Sequence, residues 1–230
     1  VVDQAGRIVA VLAGRPKSGD WQGTCTRAYD SLDKARESLR LPDDMQHRRG
    51  CYPSVNVGIS YGRGQTHPMN LPTPEPVRQL LQDADVRRIA GFANGVFAAS
   101  APKLYKSYEE MVDGVLDRNE QLELPYRNSI FTATTFNFGP QVFTVPHFDN
   151  ANLPNGWCTI TSLGNFDPKK GGHLVLWELG LIIEFPPHST VALPSASVPH
   201  ANIPIQPHES RASLTCYAAG ALFRYAAYGF

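Results

Sequence analysis

Residues 171–193 run Gly171-Gly-His-Leu-Val-Leu-Trp-Glu-Leu-Gly-Leu-Ile-Ile-Glu-Phe-Pro-Pro-His-Ser-Thr-Val-Ala-Leu193, and their pattern decides the class of fold. The apolar runs at His173–Leu176, Leu181–Phe185 and Thr190–Leu193 are too short for helices, and Gly180 and Pro186-Pro187 fall between them where a chain turns. β-Branched and aromatic residues fill these runs, as they fill strands. The same texture extends outward, through Ile130–Phe138, Val142–Val145 and Trp157–Leu163 on one side and Ser213–Tyr225 on the other. Short strands at regular spacing predict a β-sandwich or barrel, here of the double-sheet jelly-roll type.

Upstream of Ser129 the pattern is mixed. Arg7–Ala13 reads as a strand, Thr26–Leu39 has helical spacing with Asp30, Asp33, Lys34 and Glu37 on its wet face, and Ser54–Ser60 alternates like a strand. The Gly-, Pro- and Asn-rich stretch from Gly62 to Pro76 reads as a loop. Pro76 then opens a helix carried through Val77, Leu80, Val86, Ile89 and Phe97, and a second helix covers Tyr105–Asn119. With no internal repeat and no linker, the expectation is a single α+β domain over 1–230, a mixed helical and strand flank at 1–128 joined to a jelly-roll core at 129–230.

The 21 Lys+Arg balance the 21 Asp+Glu, so no long-range field draws in a phosphate backbone, and nucleic-acid binding would rest on a local patch. His47-Arg48-Arg49 with Arg63 and His67, and Arg87-Arg88, are the candidates, each weighed against plain solvated surface. Cys25, Cys51, Cys158 and Cys216 are scattered without a CxxC pair, which argues against a zinc knuckle or a dense disulfide framework and favours a reduced, intracellular setting. Apolar runs fall short of the roughly 20 residues of a membrane-spanning helix, so a soluble monomer without a membrane partner is expected.

His147-Phe148-Asp149 follows the run Val142–Val145. Residues two apart in a strand share a face, so one imidazole and one carboxylate aim at the same point. His200, flanked by Pro199 and Asn202, is the natural third ligand. Two His and one carboxylate on an octahedral Fe(II) leave room for a bidentate cosubstrate and dioxygen. Zinc accepts the same ligands, and the bland alternative is a His147–Asp149 pair in a turn. Arg211 shifts the balance, because Arg211 and Ser213 fall on one face of a strand-like segment. A guanidinium offers a carboxylate a two-pronged donor, and each such hydrogen bond to a charged group contributes about 1.5–3 kcal/mol.

The order of these motifs, HxD at 147–149, the Gly171–Phe185 run, His200, and then Arg211-x-Ser213, resembles the Fe(II)/2-oxoglutarate-dependent dioxygenase superfamily over Phe131–Phe230. The resemblance implies a double-stranded β-helix core, Fe(II) held by His147, Asp149 and His200, and 2-oxoglutarate held by Arg211 and Ser213 with Asn137 as a further contact. It also implies O2 as co-reactant and hydroxylation of a C–H bond. Asn137-Phe138-Gly139 is similar to the segment that precedes HxD in nucleic-acid-modifying branches. An AlkB-type branch carries a second Arg six positions after the first, where this chain has Tyr217. The Arg-x-Ser pattern and the Gly-Gly strand pair resemble instead the fungal TET/JBP-like branch, whose better-known members oxidise the methyl group of 5-methylcytosine or thymine. That implies a methylated base in DNA, flipped out of the duplex, and a nuclear location.

Against this stand an oxygenase of a small molecule or protein side chain, which the neutral charge suits, and a metal-free jelly-roll binding module. His173 reads as ordinary sheet chemistry after a glycine turn, and His188 and His208 read as exposed loop positions. Trp157, Trp177, Tyr61 and Phe143 read as core rather than base-stacking residues, and Glu178 with Glu184 is a poor glycosidase pair. The substrate pocket is expected from the loops after Cys51 and Gly62.

Overall fold

The computed structural model describes residues 1–17, 19–62 and 64–230, so Arg63 lies outside the described residues. In chain order the elements are β1 (Val11–Gly14), α1 (Trp21–Leu39), β2 (Gln46–His47), β3 (Gly50–Cys51), β4 (Ser54–Ser60) and β5 (Met69–Asn70). Three helices follow, α2 (Glu75–Gln82), α3 (Ala84–Ser100) and α4 (Pro102–Asp117). The β-rich part holds β6 (Ala133–Asn137), β7 (Cys158–Asn165), β8 (Leu174–Leu176), β9 (Leu181–Ile183), β10 (Thr190–Leu193), β11 (His200–Asn202) and β12 (Ser210–Tyr217), and α5 (Gly220–Ala227) closes the chain.

Caps account for where the helices depart from expectation. Asp20 accepts from the Gly23 N–H, so α1 starts at Trp21 rather than Thr26 and buries Trp21, Cys25, Ala28 and Leu32 at helical spacing. The helix expected to run unbroken from Pro76 to Phe97 is two helices, because Asp83 is extended (ψ 129°) and its side chain accepts from the Asp85 and Val86 N–H groups. The stretch 62–76 contains β5, which pairs with β4.

Among the described residues, the main sheet has the antiparallel order β1-β10-β7-β12-β6-β4-β5, and a smaller sheet has the order β11-β8-β9. Strand alternation gives the main sheet two unlike faces. Ala212, Leu214 and Cys216 of β12, with Phe136 and Leu163 of its neighbours, belong to a large core shared with α1 to α4. The opposite face contributes Cys158, Ile160, Val191 and Leu193 to a second core, completed by Leu174 and Leu176 of the smaller sheet with Phe185 and Val198. Leu174 and Leu176 are wholly buried, each contributing about 1.5–3 kcal/mol. The small sheet is thus held over the main one at one end of that face.

Two expected strands are corrected. Val142–Val145 joins no ladder, since Pro140 and Pro146 flank it without N–H donors and its bonds go to separate partners, Val142 N–H to the Arg211 carbonyl and Val145 N–H to that of Arg49. The Ser213–Tyr225 run is a strand only to Tyr217, after which Gly220–Ala227 folds as α5 and buries Ala221 and Leu222. Its Ala-rich sequence is good helix former and outweighs the β preference of Phe223 and Tyr225.

Candidate metal centre and carboxylate clamp

His147 and His200 face each other across an isolated antiparallel bridge, each N–H donating to the other's carbonyl at 3.1 Å. The imidazole Nδ1 of His147 lies 2.8 Å from the Val145 carbonyl, and that of His200 lies 2.9 Å from the Val198 carbonyl. A carbonyl only accepts, so both Nδ1 atoms carry the proton and both Nε2 lone pairs are free for a cation. Asp149 completes the group, its Oδ1 3.8 Å from His147 Nε2 and its Oδ2 3.8 Å from His200 Nε2. One donor atom from each residue lies within 4.8 Å of the other two. Burial, and then the neighbouring His200, push the His147 pKa down to about 4, which keeps that ring neutral.

The expected carboxylate clamp lies on the face of the main sheet that carries Cys158 and Ile160. Arg211 pairs with Gly164 across the β12–β7 ladder, and Ser213 pairs with Ser162 on one side and Asn137 on the other. Gly164 has φ 108° and an added Cβ would strike the Ser210 carbonyl, so glycine is required where β7 passes Arg211. The Arg211 side chain is 1% exposed, with its guanidinium carbon 5.8 Å above the Phe185 ring. Nη1 donates to the Val142 carbonyl at 2.9 Å, while Nε and Nη2 have no partner among the described residues. Burial pushes its pKa down to about 10. Asn137 Nδ2 donates to Ser213 Oγ at 3.0 Å, which leaves the serine proton to donate onward. The structure therefore brings His147, Asp149 and His200 together, and Arg211, Ser213 and Asn137 together.

A cavity of about 460 Å³ opens beside Asp149, walled by Ser54, Asn56, Thr135, Thr215 and Tyr217 of the main sheet and lipped by Met45, His47, Arg48 and Arg49. The pocket expectation is corrected here: the lip precedes Cys51, and the Gly62 loop lines a different cavity with Tyr61, Tyr225 and Phe230. Arg48 Nη2 stands 3.5 Å from Asp149 Oδ1, and its Nη1 donates to the Phe148 carbonyl. That contact was invisible in sequence because a hundred residues separate the partners. The basic run was its only signal.

Other residues sort by burial. His188 is corrected from an exposed position: it is half-buried at φ 69° and its carbonyl accepts from Trp21 Nε1 at 2.8 Å. His208, Glu178 and Glu184 are exposed, and His173 stands outside the metal-ligating group. Trp157 is core, stacked 5.6 Å from Phe97, whereas Trp177 is 57% exposed and so is not. Arg88 is engaged with α1, donating to Thr24 Oγ1 at 2.9 Å, which removes it from a free basic patch.

Neither a protein-family model nor a curated protein matches the chain. Among solved structures it is similar to NgTET1 in complex with 5mC DNA, at 16% identity and a TM-score of 0.55 over 95% of this chain and 75% of that one. A Pseudomonas putida prolyl-4-hydroxylase matches at 15% identity and a TM-score of 0.41, covering 91% of each chain. An oxidoreductase of the 2OG-Fe(II) oxygenase family from Burkholderia pseudomallei matches at 15% identity and a TM-score of 0.43, over 91% of this chain and 97% of that one. The chain shares the fold of NgTET1, and at 16% identity the likeness is one of fold.

Proposed function

We propose that this chain is an Fe(II)- and 2-oxoglutarate-dependent dioxygenase built on a double-stranded β-helix, with His147, Asp149 and His200 as metal ligands and Arg211 and Ser213 as the cosubstrate clamp. The single observation that carries the reading is Arg211, a buried guanidinium with two donors that have no partner among the described residues, on the strand face whose Thr215 and Tyr217 line the cavity together with Asp149. A buried cation left this way is costly unless a carboxylate completes it, and a dicarboxylate reaching from Arg211 toward the metal ligands does so. The donor set fits a divalent 3d metal, since two pinned imidazoles and a carboxylate leave coordination positions open. Fe(II) with 2-oxoglutarate and O2 supplies hydroxylation of a C–H bond, with succinate and carbon dioxide as coproducts.

The protein's part is to orient and exclude. Val145 and Val198 carbonyls hold the imidazoles in one tautomer, Asn137 holds Ser213, and Phe185 closes the apolar side of the clamp. Substrate enters by the cavity beside Asp149. We favour a methylated base in DNA: the chain shares its fold with NgTET1, solved with 5mC DNA, and Arg48 and Arg49 stand at the cavity lip where flanking phosphates would lie. The zero net charge favours instead a small molecule or protein side chain. The test is to incubate purified protein with Fe(II), ascorbate, 2-oxoglutarate and methylated duplex or single-stranded DNA, measuring succinate and, after digestion, oxidised nucleosides. Succinate with oxidised methylcytosine is expected. Succinate released only with small-molecule or peptide panels overturns the DNA reading, and no succinate under any condition overturns the oxygenase.

A further inference from the structure

The fold divides the basic pair Arg87-Arg88: Arg88 is engaged with Thr24 of α1, whereas Arg87 stands over open space. Two cavities, of about 550 and 590 Å³, lie between α3 and residues 121–129, and Arg87, Tyr126 and Arg127 line both. They are therefore neighbouring halves of one groove, with a guanidinium from α3 and another from the facing segment at its waist. Arg78 of α2 lines the first half, and neither half shares a residue with the cavity beside Asp149. The groove is built rather than left over from packing. Asn70 brackets Glu123, its Nδ2 donating to the Glu123 carbonyl at 2.7 Å and its Oδ1 accepting the Glu123 N–H at 2.9 Å. Beyond the other end Asn94 Oδ1 accepts the Ile130 N–H at 3.1 Å, and Tyr126, between these two points in sequence, is 8% exposed. With the segment pinned at both ends, the walls keep their separation. Gly91, in the interior of α3, lines the second half and has nothing within 4 Å of an added Cβ. Alanine would fit there and make a better helix, so glycine gives up helix propensity and leaves the floor of the groove low.

Charge says what the groove takes. Among the described residues its lining carries three arginines against one carboxylate, Glu123. Arg78 pairs with Glu75 at 3.2 Å, while Arg87 and Arg127 form no ion pair among the described residues. Tyr126 is the single aromatic of that lining and belongs to the core, so a nucleobase finds no face to stack on. Guanidinium forks in a concave site suit phosphate oxygens, and two of them at one waist suit an anion whose charges follow one another closely. We propose that this groove is a second binding site, for a ligand carrying phosphate groups in series, held by Arg87 and Arg127 and separate from the proposed metal centre. Its phosphates belong either to a free phosphorylated molecule or to a nucleic-acid backbone gripped without its bases. The site stands independently of the dioxygenase reading.

The test is calorimetric titration of the metal-free full chain with tripolyphosphate at low salt. Saturable binding is expected, weakened about fivefold or more by Arg87→Gln and by Arg127→Gln. Lys103→Gln removes the same charge from an exposed position on α4 and should bind as the wild type does. Gly91→Gln keeps every charge, fills the groove with a better helix former, and should weaken binding while the melting temperature stays equal or rises. An abasic single strand that displaces tripolyphosphate assigns the source to a nucleic-acid backbone, and one that does not assigns it to a free phosphorylated molecule. The proposal is overturned if the wild type does not bind tripolyphosphate, or if oligoglutamate binds in its place. Equal losses in Lys103→Gln and Arg87→Gln, or unchanged binding in Gly91→Gln, overturn it as well, since either outcome reduces the attraction to diffuse surface charge.

Discussion

Arg211 receives one hydrogen bond acceptor from the fold and, among the described residues, no counter-charge. Its burial lowers its pKa to about 10, so it remains a cation at neutral pH and its unpaired state weighs on the ligand-free protein. Replacing it by Met should therefore leave the ligand-free melting temperature equal or higher while weakening 2-oxoglutarate binding by a few kcal/mol, on the order of one to two charged hydrogen bonds. Arg211→Lys should recover part of the affinity, because an ammonium restores charge but not the two-pronged geometry. An Arg211→Met protein that binds 2-oxoglutarate unchanged would assign the clamp to another cation. His147 makes a pH prediction for the metal-stripped protein. Its folded pKa of about 4 lies below the ordinary 6.5, so between those values the unfolded chain binds more protons. Stability is full above about pH 6.5 and falls as pH drops toward 4. Urea midpoints across that range should decline for the wild type and decline less for His147→Asn.

The elements around the site are set by a few backbone requirements. Gly164 permits β7 to pass Arg211 at a positive φ that a side chain would strain, and its missing Cβ leaves room for the Ser210 carbonyl. Gly164→Ala should lower stability by more than 1 kcal/mol and weaken 2-oxoglutarate binding together with it, since the β12 backbone carrying Arg211 must move. Asp83 is the contrasting case. It caps α3 and accepts from Ser31 Oγ at 2.8 Å, far from the ligands. Asp83→Ala should cost about 1–2 kcal/mol in denaturant unfolding and leave metal and 2-oxoglutarate affinities untouched. The β2–β3 hairpin carries Arg48 to Asp149 and accepts the Val145 N–H on the Arg49 carbonyl, so the segment bearing the proposed ligands leans on a run whose sequence suggested only a basic surface patch.

At the scale of the molecule, the two cores protect most of the sulfur. All four cysteines are free, and burial pushes Cys25 and Cys158 up to about 12 and Cys216 to about 11, which keeps them as thiols, while Cys51 is half-buried. A thiol reagent at pH 8 should modify Cys51 first and reach the others only with denaturant; rapid labelling of more than one site in the native protein would contradict this packing. A neutral molecule with two arginines at one cavity lip binds a polyanion locally or not at all. If DNA is bound, affinity should fall with added salt, and Arg48→Ala and Arg49→Ala should each flatten the logarithmic salt dependence by about one.

Sequence alone determined what is local in the chain. The short runs around Gly171–Leu193 could pair only as strands, HxD spacing put His147 and Asp149 on one side of an extended segment, and Arg211-x-Ser213 shared a strand face. These follow from the two-residue period of a strand, which needs no knowledge of distant residues. Element ends were legible only where the cap was read: Asp20 and Asp83 moved helix boundaries because one side-chain bond outweighs periodicity. Tertiary structure decided the rest. His200 meets His147 through a backbone bridge across some fifty residues, and Arg48 reaches Asp149 from a hairpin in the flank. Contacts of that kind depend on which sheet faces close on each other, and no periodicity along a single strand encodes them.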